Sequence, residues 1–157
     1  MKRMLDNYTD RYISDFTDPV FQSAFKEYFA ELEIEVKDWD GLFQKMTSEQ
    51  GNTAIVRKTE EGKTIGFIMY KPIEFTSWFF EETCGFIREF WINREFRSGG
   101  HGSQLLKLAE EAFVKQDIHT FILTTDTAEK FYLKHGYRKN LDCKAKNNDT
   151  VFIKTVY

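Results

Sequence analysis

The sequence predicts an α+β (mixed α/β) fold, in which helices cover a partly antiparallel sheet. Two helix patterns come early, a β-hairpin pattern follows, and the second half reads strand, helix, strand, helix and two closing strands. This mixed order is typical of a sheet covered by helices. The chain has 157 residues and shows no internal repeat or linker, so we expect residues 1–157 to form a single domain.

The first elements follow from composition and from capping residues. Aromatic and charged residues mix in Tyr8–Phe16, which predicts a first strand. Asp18 and Pro19 suit the N-cap and the first position of a helix, which we expect to run to about Ile34. A second, short helix is predicted at Trp39–Met46.

A β-hairpin is predicted next. The runs Thr53–Thr59 and Thr64–Tyr70 are rich in β-branched residues and flank a turn at Glu60–Lys63. Pro72 ends the second strand or marks a sheet edge, because proline lacks the N–H that a central strand needs. The stretch Ile73–Thr83 is then predicted as a loop or a flared strand end.

The second half begins with a strand of aromatic and β-branched residues and a helix with an apolar face at i, i+3, i+4 spacing. Gly136 suits the C-terminal cap of a later, shorter helix. The elements are predicted, in order, as strand Gly85–Asn93, helix His101–Gln116, strand Ile118–Thr124, helix Ala128–His135, and a closing hairpin of Tyr137–Lys144 and Thr150–Val156.

The turn between the strand and the long helix has the sequence Arg97-Ser98-Gly99-Gly100-His101-Gly102-Ser103. Glycines there let backbone N–H groups converge, and the first turn of a helix leaves N–H groups unpaired, so the turn suits a phosphate or pyrophosphate. The run lacks the Gly-Lys-Ser/Thr ending of a nucleotide P-loop and the spacing of a dinucleotide fingerprint. The alternative is a tight turn that needs a positive φ at Gly99 or Gly100 and binds nothing.

Two motifs in order resemble those of the GNAT superfamily of N-acetyltransferases. Arg97, Gly100 and Gly102 form an Arg-x-x-Gly-x-Gly pattern, similar to that superfamily's acetyl-coenzyme A loop. The segment Ala128–Tyr137 resembles its A-x-x-F-Y-x-K-x-G-F segment, with Tyr137 in place of the final Phe. The resemblance covers about residues 84–139. It implies a central mixed, mostly antiparallel sheet that is flanked by about four helices and splayed at the middle, where the cofactor lies.

The resemblance implies acetyl-coenzyme A as co-substrate and a set of residues that bind it. Backbone N–H groups of the turn would anchor the pyrophosphate, and a backbone N–H near Trp91 or Ile92 would polarise the thioester carbonyl. Lys134 either meets the ribose phosphate or adenine end or is an ordinary exposed lysine. The expected cofactor-binding residues are Trp91, Ile92, Arg97, Ser98, Gly99, Gly100, His101, Gly102, Ser103 and Lys134.

The resemblance also gives Glu89 as the candidate general base, because many members carry a glutamate at this point of the strand. An amine with a pKa near 10.4 must lose a proton before it attacks. Alternatively, Glu89 pairs structurally with a neighbouring base such as Arg88, and Glu81 and Glu82 are rival bases. The remaining alternative is that no residue acts as the base, since some members of the superfamily use none.

Tyr132 holds the tyrosine position of the second motif and is the expected general acid for the departing thiolate. The alternative is a core aromatic residue, because Phe131 beside it is expected to pack inward.

The expected function is transfer of an acetyl group to a primary amine, with a cationic small molecule as the expected acceptor. The alternatives are a non-catalytic acyl-coenzyme A sensor, a protein or peptide N-acetyltransferase, or a small structural domain. Acidic residues in 27–38 and 74–82 suit a cationic acceptor. The aromatic residues there, Phe75, Trp78, Phe79 and Phe80, either wall the acceptor pocket or serve as core or a dimer contact.

Composition excludes several other classes. A formal net charge of −3 argues against nucleic-acid binding, and no segment approaches the length of a membrane span. Cys84 and Cys143 match no metal or redox spacing, so we expect reduced thiols in a cytoplasmic protein. The three histidines also lack metal-ligand spacing, so no metal is expected. A homodimer is suggested only by analogy with small members of the superfamily.

Overall fold

The computed structural model describes residues 7–76, 81–143 and 145–157. They form seven strands, four helices and a 3₁₀ turn at Arg94–Phe96. The elements are β1 Tyr8–Ile13, α1 Pro19–Glu31, α2 Trp39–Ser48, β2 Thr53–Thr59, β3 Thr64–Thr76, β4 Glu81–Ile92, α3 His101–Lys115, β5 Thr120–Thr125, α4 Glu129–Lys134, β6 Arg138–Lys139 and β7 Thr150–Thr155. None of the helices in these ranges is long and apolar enough to span a bilayer.

The strands form one sheet in the order β1-β2-β3-β4-β5-β7-β6. All neighbours are antiparallel except β4 and β5, which are parallel. A parallel pair needs a crossover, and α3 supplies it between β4 and β5. The prediction of a mixed α/β fold around a mostly antiparallel sheet is confirmed.

The sheet is open at its middle. Only Gly85 and Phe86 of β4 pair with β5, at Phe121 and Ile122. Beyond this point β4 continues to Ile92 along β3, while β5 continues along β7. The two strands therefore separate, and the following residues of β4 have β3 as a neighbour on one side only.

Each face of the sheet is covered by its own core. One core lies under α3 and α4, and its largest fully buried members include Phe113, Phe121, Tyr137 and Phe152. The other lies under α1 and α2 and is dominated by phenylalanine rings in edge contact. Asp18 caps α1 by accepting the Val20 N–H at 2.9 Å, as its position before Pro19 predicts.

The β3–β4 hairpin is longer than the sequence predicts. The prediction of a loop or flared end at Ile73–Thr83 is wrong for most of that stretch, because β3 extends to Thr76 and β4 begins at Glu81. Pro72 lies within β3 and faces no partner in β2, whose pairing with β3 stops at Tyr70. A residue without an N–H is tolerated at such a one-sided position.

Three other predicted boundaries are too long. The first strand ends at Ile13 instead of Phe16, and α1 ends at Glu31 because Glu33 adopts a φ of +59°. The strand predicted at Tyr137–Lys144 is only the two-residue β6. Side-chain oxygens explain this last difference, since Asn140 accepts the Asp142 N–H at 3.0 Å and so stabilises a turn.

Candidate active site

A cavity of about 660 Å³ lies where β4 leaves β5 and α3 begins. It brings together nine of the twelve residues predicted for the site, from β4, the glycine-rich turn and α4. They are Trp91, Ile92, Arg97, Ser98, Gly100, Gly102, Ser103, Tyr132 and Lys134. We call this space the turn cavity.

The glycine-rich turn presents unpaired backbone amides. Gly100 is the N-cap of α3 with a φ of +90°, and no side chain caps the helix. Among the residues that the structure describes, no acceptor is recorded for the N–H groups of residues 99–103. These donors and the partial positive charge of the helix terminus point to one place, so the turn is a suitable seat for an anion.

Gly102 keeps the space above these amides free. A Cβ there would lie 3.6 Å from a carbon of Ile92 and 3.7 Å from the ring of Phe131, in ordinary contact. Any larger side chain at Gly102 would grow into the cavity that these two residues line with it.

Gly99 and His101 are the two turn residues that do not line the turn cavity. The His101 side chain is buried, and its Nδ1 lies 3.0 Å from Nη1 of Arg57. Burial, followed by the Arg57 charge, lowers the pKa of His101. His101 therefore offers the cavity its backbone amide and not its ring.

Arg97 is held in place by the protein itself. Its Nε donates to the Ile92 carbonyl at 2.8 Å, and its Nη2 donates to Glu31 at 2.5 Å. Ser103 contacts His135 through Oγ and Nε2, which are 3.0 Å apart. Lys134 is exposed at the cavity.

The register of β3 and β4 decides which amides of β4 face the gap. The Asn93 N–H donates to the Ile65 carbonyl at 2.7 Å, and the pairing continues without a shift to Trp91 opposite Phe67. Because strand N–H groups alternate in direction, the Trp91 N–H points to β3, while those of Ile92 and Phe90 point to the gap. The expectation for a Trp91 amide is thus corrected, and Phe90 is a residue that the sequence analysis missed.

A second cavity of about 340 Å³ adjoins the first, and we call it the acidic cavity. Phe90, Ala128 and Tyr132 line both spaces. The acidic residues that line it are Glu89, Asp126 and Asp149.

Two hydrogen-bonded turns present the outer carboxylates of the acidic cavity. The Ala128 N–H donates to Thr125 Oγ1 at 3.0 Å across the turn that contains Asp126. The Asp149 N–H donates to Asn147 Oδ1, also at 3.0 Å.

Glu89 lies half-buried on β4 and accepts a hydrogen bond from the Tyr28 hydroxyl at 2.9 Å. Burial raises the pKa of Glu89 and outweighs the lowering by the Tyr28 hydrogen bond and the Arg88 charge. Arg88 is not its ion-pair partner, because its Nη1 donates to Glu49 at 2.8 Å. A carboxylate with a raised pKa and one hydrogen bond is suited to accept a proton.

Tyr132 stands between the two cavities. Its side chain is only 7 % exposed, and within the described ranges its hydroxyl has no hydrogen-bond partner. Burial raises the pKa of Tyr132, so the phenol is protonated at neutral pH and can donate. It also packs against Phe131 and Tyr137, so the core interpretation applies to it, and its role as the general acid stays a prediction.

The other predicted acceptor residues that the structure describes line neither cavity. Glu81 and Glu82 stand at the far end of β4, and Glu31 pairs with Arg97. Asp38 caps α2 by accepting the Gly41 N–H. Trp78, Phe79 and Phe80, together with the side chain of Phe75, lie outside the described residues. In the described ranges, the acidic cavity included, no group of three or more His, Cys, Asp or Glu residues is arranged to hold a metal ion.

Comparison with known proteins agrees with this geometry. The chain matches the sequence profile of the Acetyltransferase (GNAT) family over residues 8–137. No curated protein sequence matches it. An acetyltransferase of the GNAT family from Staphylococcus aureus superposes with a TM-score of 0.71 and 14% identity, covering 95% of this chain and 100% of that one.

Two further solved structures contain ligands. An N-acetyltransferase from Thermoplasma acidophilum in complex with coenzyme A superposes with a TM-score of 0.62 at 16% identity, covering 95% of this chain and 99% of the other. An aminoglycoside acetyltransferase from an uncultured soil metagenomic sample, in complex with sisomicin, gives a TM-score of 0.67 at 14% identity, covering 85% and 87%. Identities this low show a shared fold.

Proposed function

Because the chain belongs to the GNAT family of acetyltransferases, we propose that it transfers an acetyl group from acetyl-coenzyme A to a primary amine of a small cationic acceptor. The observation that carries the proposal is the shared wall of the two cavities. Phe90, Ala128 and Tyr132 separate a space with unpaired amides from a space with carboxylates. A thioester bound in the turn cavity and an amine bound in the acidic cavity come together next to these shared residues, so the amine attacks the thioester directly.

The turn supplies the anchor for the diphosphate. The amides of residues 99–103 and the N-terminus of α3 act as the positive pole, and they need no side-chain charge. Arg97 contributes by holding the turn against Ile92 and Glu31. Its guanidinium adds to the field at the cavity, but the Glu31 carboxylate offsets part of that charge.

The gap in the sheet supplies the donor for the thioester oxygen. When bound, acetyl-coenzyme A provides an activated acetyl carbonyl. The Ile92 or Phe90 N–H, which faces the gap, donates to that oxygen as negative charge develops on it. A preorganised donor of this kind is typically worth ~2.7–4 kcal/mol in the transition state.

Glu89 and Tyr132 divide the proton transfers. Glu89 accepts the proton of the ammonium group, directly or through water, because its raised pKa increases its basicity. Tyr132 donates to the leaving thiolate from the shared wall, where its hydroxyl has no competing partner within the described residues. The acceptor is thus neutral when it attacks, and the thiol leaves protonated.

The acidic cavity favours a cationic acceptor. Asp126 and Asp149 line it beside Glu89, and in the described residues neither forms an ion pair. The basic residue that lines it, Arg88, is paired with Glu49. The aminoglycoside-bound neighbour is consistent with a polycationic acceptor. A homodimer and a cytoplasmic location stay predictions from the sequence.

The test combines a binding measurement with an amine panel. Gly100→Trp and Gly102→Trp should abolish acetyl-coenzyme A binding in calorimetry, because the side chain fills the turn cavity and Gly100 also has a positive φ. Gly62→Trp is the matched control, since Gly62 has a φ of +87° with nothing within 4 Å of its Cβ position. Unchanged affinity in both folded cavity variants would refute the binding site.

Thiol release with polyamines, aminoglycosides, amino acids and lysine peptides then identifies the acceptor class. Asp126→Asn and Asp149→Asn should raise the KM of a cationic amine and leave the Kd of acetyl-coenzyme A unchanged. If the protein binds acetyl-coenzyme A but releases no thiol with any amine of the panel, the result supports the sensor instead. Turnover of lysine peptides alone would support a protein acetyltransferase.

A further inference from the structure

A charged side chain lies buried directly beneath the glycine-rich turn. Arg57 of β2 is 1% exposed. Its guanidinium donates to both Asp10 carboxylate oxygens, at 2.8 and 3.0 Å, and to Gln104 Oε1 at 2.5 Å. Nη1 also lies 3.0 Å from His101 Nδ1, and the guanidinium carbon lies 3.7 Å from the Tyr8 ring centroid.

These contacts join two parts of the chain that are far apart in sequence. Asp10 belongs to the edge strand β1, whereas His101 and Gln104 form the first turn of α3. The Gln104 N–H closes that turn on the Gly100 carbonyl at 3.1 Å. Arg57 is therefore fixed by Asp10 through Nε and Nη2, and through Nη1 it contacts His101 and Gln104 at the start of α3.

The bond to His101 also determines the state of that ring. An arginine can only donate, so Nδ1 accepts and the ring hydrogen lies on Nε2. Burial keeps the imidazole neutral. Since Asp10 neutralises Arg57 at the same time, the cluster carries no net formal charge, and its contribution to the turn is orientation.

We propose that Arg57 is a positioning residue of the cofactor site, which fixes the first turn of α3 so that its free amides converge on the diphosphate. The inference rests on the proposed function in one respect, namely that the turn binds acetyl-coenzyme A. The Arg57 guanidinium is buried, and a buried charge is costly compared with an apolar side chain of similar volume, so we take the fixed geometry of the turn as the gain that offsets this cost. The rigid fork of arginine reaches Asp10, His101 and Gln104 together, which lysine cannot do.

The test measures cofactor affinity in Arg57→Met, Arg57→Lys and the milder Gln104→Met. We expect the Kd of acetyl-coenzyme A to rise about tenfold in Gln104→Met, the change that the net loss of one hydrogen bond produces, and at least tenfold in the two Arg57 variants, which lose several. The kcat at saturating acetyl-coenzyme A should stay within about twofold, because the reacting groups are untouched. If Arg57→Lys keeps the positive charge but not the affinity for acetyl-coenzyme A, the role of Arg57 is to orient the turn and not to supply charge.

Val56→Ala is the matched control for lost stability. Val56 precedes Arg57 on β2 and packs in the core under α1 and α2, on the opposite face. It should lower the unfolding temperature and leave the Kd unchanged. A wild-type Kd in Arg57→Lys, or an equal rise in Val56→Ala, would overturn the proposal.

A second readout separates this proposal from the proposed function. Hydrogen exchange at the Gln104 N–H, which closes the first turn of α3 on the Gly100 carbonyl, should be faster in Arg57→Met than in Val56→Ala. If the wild-type protein binds no acetyl-coenzyme A, the proposed function fails, and this comparison still supports or refutes the role of Arg57. Equal exchange in the two variants would refute that role.

Discussion

The hydrogen bond from Tyr28 to Glu89 gives the sharpest test of the proposed base. The Tyr28 hydroxyl donates to Glu89 Oε1 at 2.9 Å, and this contact stabilises the ionised carboxylate. Removing the donor raises the pKa of Glu89 further. A base acts only when it is deprotonated, so Tyr28→Phe should lose activity at a higher pH than the wild type on the acidic side of the profile.

The magnitude follows from the contact. A hydrogen bond to a charged group contributes about 1.5–3 kcal/mol, and Glu89 keeps partial exposure to solvent at the acidic cavity, so we take the lower end. About 1.4 kcal/mol is a tenfold change in an equilibrium constant, so the proton affinity of the carboxylate should rise about tenfold. On the acidic limb the variant should then be about tenfold slower, and the two profiles should converge at higher pH.

The assay is thiol release under kcat/KM conditions with one amine across the pH range. The titration of the amine is common to both proteins and cancels in their comparison. Phenylalanine keeps the ring contacts of Tyr28 with Phe25, Phe67 and Trp91, so packing is preserved.

The controls are a remote tyrosine and the base itself. Tyr12→Phe removes the hydroxyl of an exposed tyrosine on the edge strand and should leave the profile unchanged. Glu89→Gln should reduce kcat/KM by about 10²- to 10⁴-fold and remove the acidic limb. Superimposable limbs for Tyr28→Phe and the wild type, or a limb that persists in Glu89→Gln, would refute the assignment of Glu89.

Three other variants test other parts of the structure. Tyr132→Phe should lower kcat about tenfold with an unchanged Kd for acetyl-coenzyme A, because a thiol of pKa ~8.5 leaves moderately well unaided; an unchanged kcat would exclude it as the acid. Burial lowers the pKa of His101 in the folded protein. As the pH falls below about 6.5, this histidine is therefore protonated in the unfolded chain before it is protonated in the folded one. Denaturation should show that the wild type loses more stability than His101→Phe between pH 7 and pH 5, and parallel curves would contradict this. Gly85→Ala should cost about 1–3 kcal/mol in urea unfolding, because its Cβ would lie 2.4 Å from the Phe113 ring, and a wild-type midpoint would show that the ring moves freely.

Local signals predicted much of the fold. The bounds of β2, Thr53–Thr59, and the start of α3 at His101 agree with the prediction, because β-branched runs, apolar periodicity and glycine position act over a few residues. Gly136 has a φ of +92° after α4, as its predicted capping role requires. The length of β3 was missed because pairing with β4 extends it past Pro72, and the sequence around Pro72 carries no sign of that partner.

The parts of the site that depend on tertiary contacts could not be predicted. Tyr28 meets Glu89 across 61 positions of sequence, and Arg57 meets Gln104 across 47. Asp126 and Asp149 are ordinary loop residues until β5 and β7 bring them to the same cavity. The direction of each β4 amide likewise depends on the register with β3. Amides alternate in direction along a strand, so their directions can be assigned only when one hydrogen-bonded pair is known.

The gap between β4 and β5 has a consequence for how the molecule comes apart. The sheet consists of a four-stranded part and a three-stranded part, and only Gly85–Phe121 and Phe86–Ile122 join their backbones. We expect local opening of the sheet to begin at this short seam, and a molecule bound along it contacts both parts and stabilises their pairing. Acetyl-coenzyme A bound in the turn cavity should therefore raise the midpoint of thermal unfolding and also make the transition steeper, because it holds the two parts of the sheet together.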